Sequence, residues 1–446
     1  MRTQCFAPLR QNGGMEEKFD CIIIGAGPAG SAAAITLARG GADVVVLEKG
    51  DSPGSKNLFG GILFTTILNK LIPNFWESAP IERHILRRKF GFIFDENETT
   101  LELRSEKFNR PPFNNTFTVL RSQFDKWFAG EAEKAGAQMF TSITVDNFIE
   151  KDDAIVGIKA KGGDELFADV VINAEGANSL LAERAGMRKL MTPHNRVLTV
   201  KEILKLPRET IEDRFSVKGN EGASVEYFGG AVKGMKGSAF IYTNKESISV
   251  GIGCTMDEMI EKSSGPNGIL EHFKELPTIS NYIKGGELLE YSTHMIPEDG
   301  YNNLPKLYKS GLLMAGDSAA LINPSLYHEG TNLAMASGIC AGETILEAKK
   351  RKDFSGKSLS QYQRKMEESF VLKDMKHFRK FLSFITNNKQ FIDDYPKIFM
   401  ELFVDYFTIS EMPKKTVRKA IIKKFLKNVN LLRLLYDMWR SKGALM

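Results

Sequence analysis

Residues 19–50 read FDCIIIGAGPAGSAAAITLARGGADVVVLEKG, and no other stretch narrows the fold as far. An apolar run, 19–24, meets Gly25-Ala26-Gly27-Pro28-Ala29-Gly30. An alanine-rich segment runs to Arg39, Gly40-Gly41 make a turn, and a second apolar run, 44–47, closes on Glu48. Strand, GxGxxG, helix, strand and terminal acid in that order form the opening of a dinucleotide-binding βαβ unit. Gly25 allows the tight turn, Gly27 lets backbone approach a pyrophosphate, and Gly30 lets helix and strand pack closely. The helix start offers free N–H groups and a positive dipole end to phosphates. Glu48 is placed to accept from a ribose hydroxyl. Residues 21–38 carry no charge over 18 positions, long enough to suggest a membrane span. Gly25, Gly27, Pro28 and Gly30 inside that run argue for a turn and a helix start instead.

Three later stretches carry similar signals. Residues 119–149 predict an amphipathic helix with Phe124, Trp127, Phe128 and Ala132 on one face, Arg121 at its start, and a strand around 143–145. An Arg at a helix entrance can reach a phosphate or ribose, or simply sit in water. Residues 168–186 predict a buried strand, 170–173, that runs into a Gly turn and another helix. Residues 311–345 predict a buried strand, 312–315, ending at Gly316-Asp317; Asn323 and Pro324 follow, then Gly330-Thr331-Asn332 and a small-residue helix. An Asp just beyond a strand suits a sugar hydroxyl, and the second helix start suits a partly anionic group.

In order along the chain, KFDCIIIGAGPAGSAAAITLA, GSKNLFGGILF, VLRSQFDKWF, GSAFIYTNKESISVGIG, YSTHMIPEDG and GDSAALINPSLYHEGTNLAMASG resemble the FAD-dependent electron-transfer-flavoprotein:quinone oxidoreductase family, in particular its Fix-type flavoprotein. Geranylgeranyl reductases and aromatic hydroxylases belong to the wider superfamily. The resemblance covers nearly the whole chain from Met15. It implies that Gly25, Gly27, Gly30 and Glu48 hold the ADP half of FAD, that Ala29, Lys49 and Arg121 contact the cofactor, and that Val145 offers backbone to adenine. It places Gly176 and Gly316 on the cofactor, Asp317 on the ribityl chain, and Asn323, Gly330, Thr331 and Asn332 near the flavin or its ribityl arm. Gly237, Ser238 and Tyr242 would lie near a quinone.

Within the stretch 50–64, Gly60 and Gly61 would let backbone lie against the flavin ring, with Lys56 and Asn57 supplying polar groups beside it. Lys56 and His328 are candidate flavin tuners, although a loop histidine is more often without a catalytic role; His294 is similar. No side chain is expected to act as nucleophile or general base, because the flavin carries the electrons.

Two departures from the family pattern stand out. Glu175 occupies a position that usually holds Asp, one methylene shorter. No Cys lies beyond Cys340, so the iron–sulfur cluster of the larger relatives has no ligands here. The resemblance implies that a separate small ferredoxin-like protein supplies it. The implied donor is a two-subunit electron transfer flavoprotein and the acceptor a membrane quinone.

Composition limits the remaining classes. The four cysteines are far apart with no CxxC, and the six histidines form no HExxH, so no metal site is expected. Residues 412–446 hold ten Lys/Arg against one acid, a net +9 within a chain of +5, so the rest is net −4. A basic tail without a reading motif on an acidic body makes nucleic acid a poor partner. In that tail Val417, Ile421, Phe425, Val429, Leu432, Tyr436 and Trp439 recur at three or four residues, predicting one or two basic amphipathic helices. They could lie on an anionic membrane surface or pack on the body. A quinone substrate favours a cytoplasmic protein peripheral on the inner face of the cell membrane.

The expected fold is α/β: a discontinuous Rossmann-like FAD-binding domain (15–95, 116–190, 290–345), an antiparallel-sheet substrate domain (195–290) and a helical C-terminal region (346–446). Residues 1–14 are expected to be disordered or an over-called start. Rival activities are prenyl reduction as in geranylgeranyl reductases, flavin monooxygenation, and a non-catalytic electron-carrier subunit. The stretches SKNLFGG and FIYTN differ from the patterns the prenyl reductases favour.

Overall fold

A computed structural model describes residues 18–55 and 61–445, with side chains to residue 443. Residues 1–14 and the candidates Lys56, Asn57 and Gly60 lie outside the described residues. The chain divides into two units, Met1–Glu82 with Asn115–Arg196 and His294–Lys376, and Arg83–Asn114 with Val197–Thr293 and His377–Met446.

In the first unit, strands Leu312–Met314, Glu165–Asn173, Lys18–Ile24, Val44–Leu47 and Gln138–Phe140 lie side by side, each pair parallel. Parallel strands are covered on both faces and so read as continuous apolar runs; Val44–Leu47 is buried at every position. Tyr308–Lys309 adds an antiparallel edge, and Val145–Lys151 with Ala154–Ala160 forms an antiparallel extension. The uncharged 21–38 run becomes a strand, a turn and the 12-residue helix Pro28–Arg39. That helix packs on Thr331–Arg351 through missing side chains: a Cβ on Gly338 would lie 2.1 Å from the Ala29 carbonyl oxygen, and one on Gly342 2.9 Å from Thr36 Cβ.

The register pairs Ile24 with Leu47 and Asn173, and Asn173 with Met314. Four strand ends are therefore level, and the loops after Ile24, Leu47, Asn173 and Met314 leave from one edge. Open α/β sheets bind ligands at this edge. The strand expected around 143–145 begins at Val145 instead. The backbone ahead of it bonds elsewhere: Ser142 N–H donates to Gly50 O at 2.6 Å and Ile143 N–H to Glu48 O at 2.9 Å.

In the second unit, Arg196–Lys205, Ser247–Thr255, Gly237–Thr243 and Glu221–Gly229 are antiparallel neighbours. The sheet is not antiparallel throughout, because Ile81–Phe94 pairs parallel with Glu221–Gly229. That pairing carries residues 83–95 into this unit. One face of the sheet, with Val225, Ile241, Val250 and Ile252, joins Ile211, Ile269 and Phe273 of the intervening helices in a buried core. Of the C-terminal region, Gly356–Glu368 groups with the first unit and the helices from Phe381 onward with the second. Among the described residues no helix is long and apolar enough to cross a membrane.

Candidate functional site

At the opening turn, the glycine positions differ in what surrounds them. Gly25 has φ +98°, and a Cβ there would lie 2.4 Å from Ala174 O; one on Gly30 would lie 1.9 Å from Gly25 O. Gly27 has nothing within 4 Å of a Cβ. Two glycines are thus required by the protein's own backbone, and the third faces open space at a helix N-terminus. Glu48 is buried, and its Oε2 accepts from Ala26 N–H at 3.0 Å and its Oε1 from Gly50 N–H at 2.7 Å. The acid therefore ties both loops together, and each oxygen keeps a lone pair for a further donor. Ala29 is buried in the helix, Lys49 is exposed, and Val145 is half-buried opposite Ala160.

The second helix start is built differently. Gly316, at φ +67°, donates its N–H to Ser337 Oγ at 2.9 Å, and Asp317 follows half-buried. Burial pushes the Asp317 carboxyl above its ordinary range, against the pull of Arg121 and Arg188. Glu329 joins two of the predicted residues, accepting from Asn323 Nδ2 at 3.2 Å and Asn332 Nδ2 at 2.8 Å. Thr331 Oγ1 and Asn332 Oδ1 are buried with no hydrogen-bond partner among the described residues. His328 is exposed with φ +49°.

Arg121 is not a solvated helix-end charge. Its Nε and Nη2 each donate at 2.8 Å to Asp125, one turn on, and both residues are buried. Burial disfavours the cation, but the Asp125 carboxylate outweighs it and holds the guanidinium charged. Gly54 has φ +84° and lies close against Arg121 O, and Gly61 accepts from Val119 N–H at 3.0 Å. His294 is pushed down to about 4 by burial and then by the Arg121 and Lys49 charges.

Glu175 has its own structural task. Its carboxylate accepts from Leu181 N–H at 3.1 Å, Ala182 N–H at 3.0 Å and Asn173 Nδ2 at 2.8 Å. It caps the helix Leu180–Arg184 by accepting from its first backbone N–H groups. Gly176 beside it takes φ +82°.

In the second unit, Gly237, Ser238 and Tyr242 share one strand. A Cβ on Gly237 would meet Gly253 O at 2.0 Å. Tyr242 stacks on Phe240 at 4.6 Å, and burial and Glu226 raise its phenol against the pull of Arg88. Sequence reasoning missed Arg88, Glu226 and Arg188, whose partners lie on other elements, and also Asp125 and Glu329, whose partners Arg121, Asn323 and Asn332 lie in the same quoted stretches. The i,i+4 spacing of Arg121 and Asp125 and the i,i+3 spacing of Glu329 and Asn332 offered local signals.

The family models match in two places. The "FAD dependent oxidoreductase" model matches residues 20–206, and the "ETF-QO/FixC family C-terminal domain" model residues 381–444. Protein FixC of Bradyrhizobium diazoefficiens is 42% identical over 436 residues, covering 96% of this chain and 99% of the relative. The chain belongs to the FixC family of FAD-dependent oxidoreductases. The probable electron transfer flavoprotein-quinone oxidoreductase YdiS of Escherichia coli is 41% identical, covering 96% and 100%. Among solved structures, a geranylgeranyl bacteriochlorophyll reductase-like protein from Thermoplasma acidophilum superposes with TM-score 0.71 at 21% identity, covering 95% and 100%. The myxobacterial halogenase CndH superposes with TM-score 0.60 at 17% identity, covering 93% and 91%. At those identities the structures speak for the fold alone.

For a FixC-family chain the residues present fit FAD. The open Gly27 position suits a pyrophosphate, and Thr331 Oγ1 and Asn332 Oδ1 are the orphaned polar atoms that a second polar contact would complete.

Proposed function

We propose that this protein takes electrons from a two-subunit electron transfer flavoprotein and delivers them to a membrane quinone, with a separate ferredoxin-like iron–sulfur protein as relay. The observation that carries this reading is the full-length similarity to a relative named as a probable electron transfer flavoprotein-quinone oxidoreductase. FAD, when bound, supplies the electron-transfer chemistry. The chain's residues do the holding. Gly27 and the start of Pro28–Arg39 receive the pyrophosphate, Glu48 orients the ribose, and Asp317 with Thr331 and Asn332 receives the ribityl arm and ring. Gly237, Ser238 and Tyr242, on one strand, lie near the quinone in this reading. Lys56 remains the residue of the stretch 50–64 to mutate first. A Lys56→Met variant is expected to alter flavin potential or turnover.

The reading extends to attachment at an anionic membrane. The sequence stripe divides in the fold. Val417, Ile421 and Phe425 are half-buried and Val429 is buried, whereas Leu432, Tyr436 and Trp439 face out at 81%, 55% and 70% exposure. Asp437 explains the split: it is buried and accepts from Tyr395 OH at 2.8 Å and Gln390 Nε2 at 2.9 Å, so the opposite face of Leu431–Leu445 points outward. An exposed apolar stripe in a segment of net +9 suits an anionic headgroup boundary. The direct test is bleaching of a quinone analogue driven by reduced electron transfer flavoprotein, with the ferredoxin-like protein present. A rate no higher than background would reject the reading. Prenyl reduction finds support in fold similarity alone.

A further inference from the structure

No sequence motif marks Arg188, yet its side chain is only 3% exposed. Its Nη1 donates to Ser179 Oγ at 2.7 Å, Asp317 O at 3.1 Å and Ser318 O at 3.4 Å. Its Nη2 donates to the Asp299 carboxylate and lies 3.1 Å from Met191 Sδ. Asp299 is itself held, with Asn195 Nδ2 donating to its other oxygen at 3.1 Å and Asn303 Nδ2 to its carbonyl at 2.9 Å. Ser179 Oγ donates onward to Gly176 O at 3.0 Å. One guanidinium thus joins the loops that follow two adjacent parallel strands, Glu165–Asn173 and Leu312–Met314.

We propose that Arg188 is a positioning residue for the cofactor. Braced by Asp299, it staples the Gly176–Ser179 loop to the Asp317–Ser318 turn and so sets where Asp317 meets the ribityl arm of FAD. The proposal rests on the reading that Asp317 receives that arm. The planar five-donor fork is what the task requires, since two carbonyls, a hydroxyl and a carboxylate are served from one buried centre. A lysine keeps the charge and loses the fork. Removing Asp299 leaves the cation less compensated in a low-dielectric setting, where charge acts over longer range. The PEDG stretch at 297–300 thereby gains a role, since Asp299 lies in it.

The test uses the full chain carrying Arg188→Lys, Arg188→Met, Asp299→Asn or Asp317→Ala. FAD affinity is measured by fluorescence titration of apo-protein, the midpoint potential of bound flavin by redox titration, and folding by circular dichroism. Arg188→Lys and Asp299→Asn are expected to fold and to bind FAD about tenfold more weakly or worse. Potentials should move in opposite directions: more negative on loss of the cation in Arg188→Met, more positive on loss of the anion in Asp299→Asn. A merely structural role would not produce opposite signs. Wild-type affinity and potential in Arg188→Lys and Asp299→Asn, with FAD lost in Asp317→Ala, would overturn the proposal while leaving the cofactor reading intact. Retention of FAD by Asp317→Ala as well would remove that reading and the proposal with it. If Arg188→Met does not fold, the Lys and Asn variants decide.

Discussion

The two long helices that pack together in the first unit begin in contrasting ways. At Pro28–Arg39 the turn is finished by the protein's own backbone: Gly25 and Gly30 are pressed against carbonyl oxygens, Glu48 has both oxygens bonded, and space remains only at Gly27. At Thr331–Arg351 the polar groups are incomplete, with Thr331 Oγ1 and Asn332 Oδ1 buried and unpartnered among the described residues. The first start is a mould that exists before any ligand arrives. The second leaves two polar atoms open to a further contact. An unsatisfied buried oxygen costs free energy in the empty protein, and binding recovers that cost as affinity.

The contrast can be broken most severely at the mould. Gly25→Val places a branched side chain at φ +98° against Ala174 O, and is expected to cost about 3 kcal/mol or more of stability in urea melts of the apo-protein. Gly27→Ala should separate fold from ligand. With nothing near the new methyl, apo stability should stay within about 0.5 kcal/mol of wild type, while FAD affinity falls by about tenfold or more in fluorescence titration. Equal losses in both quantities would mean that Gly27 serves the fold and not the cradle. Thr331→Val should do the reverse at the second helix. Removing the orphaned hydroxyl should stabilise the apo-protein by about 1 kcal/mol in thermal melts and weaken FAD binding by roughly fivefold.

A further effect concerns pH. His294 sits at about 4 in the folded chain, against an ordinary 6.5. Between those values the unfolded chain takes up a proton that the folded chain refuses, so stability is full above pH 6.5 and falls as pH drops toward 4. Melting temperatures of the apo-protein should follow that slope, and His294→Gln should flatten it. An unchanged slope would show that other groups set the acid limit.

How much was legible depends on where the signal was stored. The opening strands and the helix between them were readable because parallel strands are buried on both faces and the glycines recur at fixed spacing; the predicted run 44–47 is the strand Val44–Leu47 itself. The parallel pairing of Ile81–Phe94 with Glu221–Gly229 was not readable, since the partners are more than a hundred residues apart and neither carries a mark of the other. The same holds at the candidate site. The glycines announced themselves, whereas Arg188 takes its meaning from loops that meet only in three dimensions. The C-terminal stripe shows a third kind of limit. Its periodicity gave the helices but not the direction each faces, which Asp437 and its partners Tyr395 and Gln390 decide.

The glycine seam between the two helices carries one more consequence. Gly338 lies against the Ala29 carbonyl, and Gly342 against Thr36. The separation of the two helix starts is therefore a fixed gauge length, cut into the protein by absent methyl groups. A single added carbon at position 338 would press on the first turn of Pro28–Arg39 and lengthen that gauge, and a molecule that must reach both starts would no longer measure up.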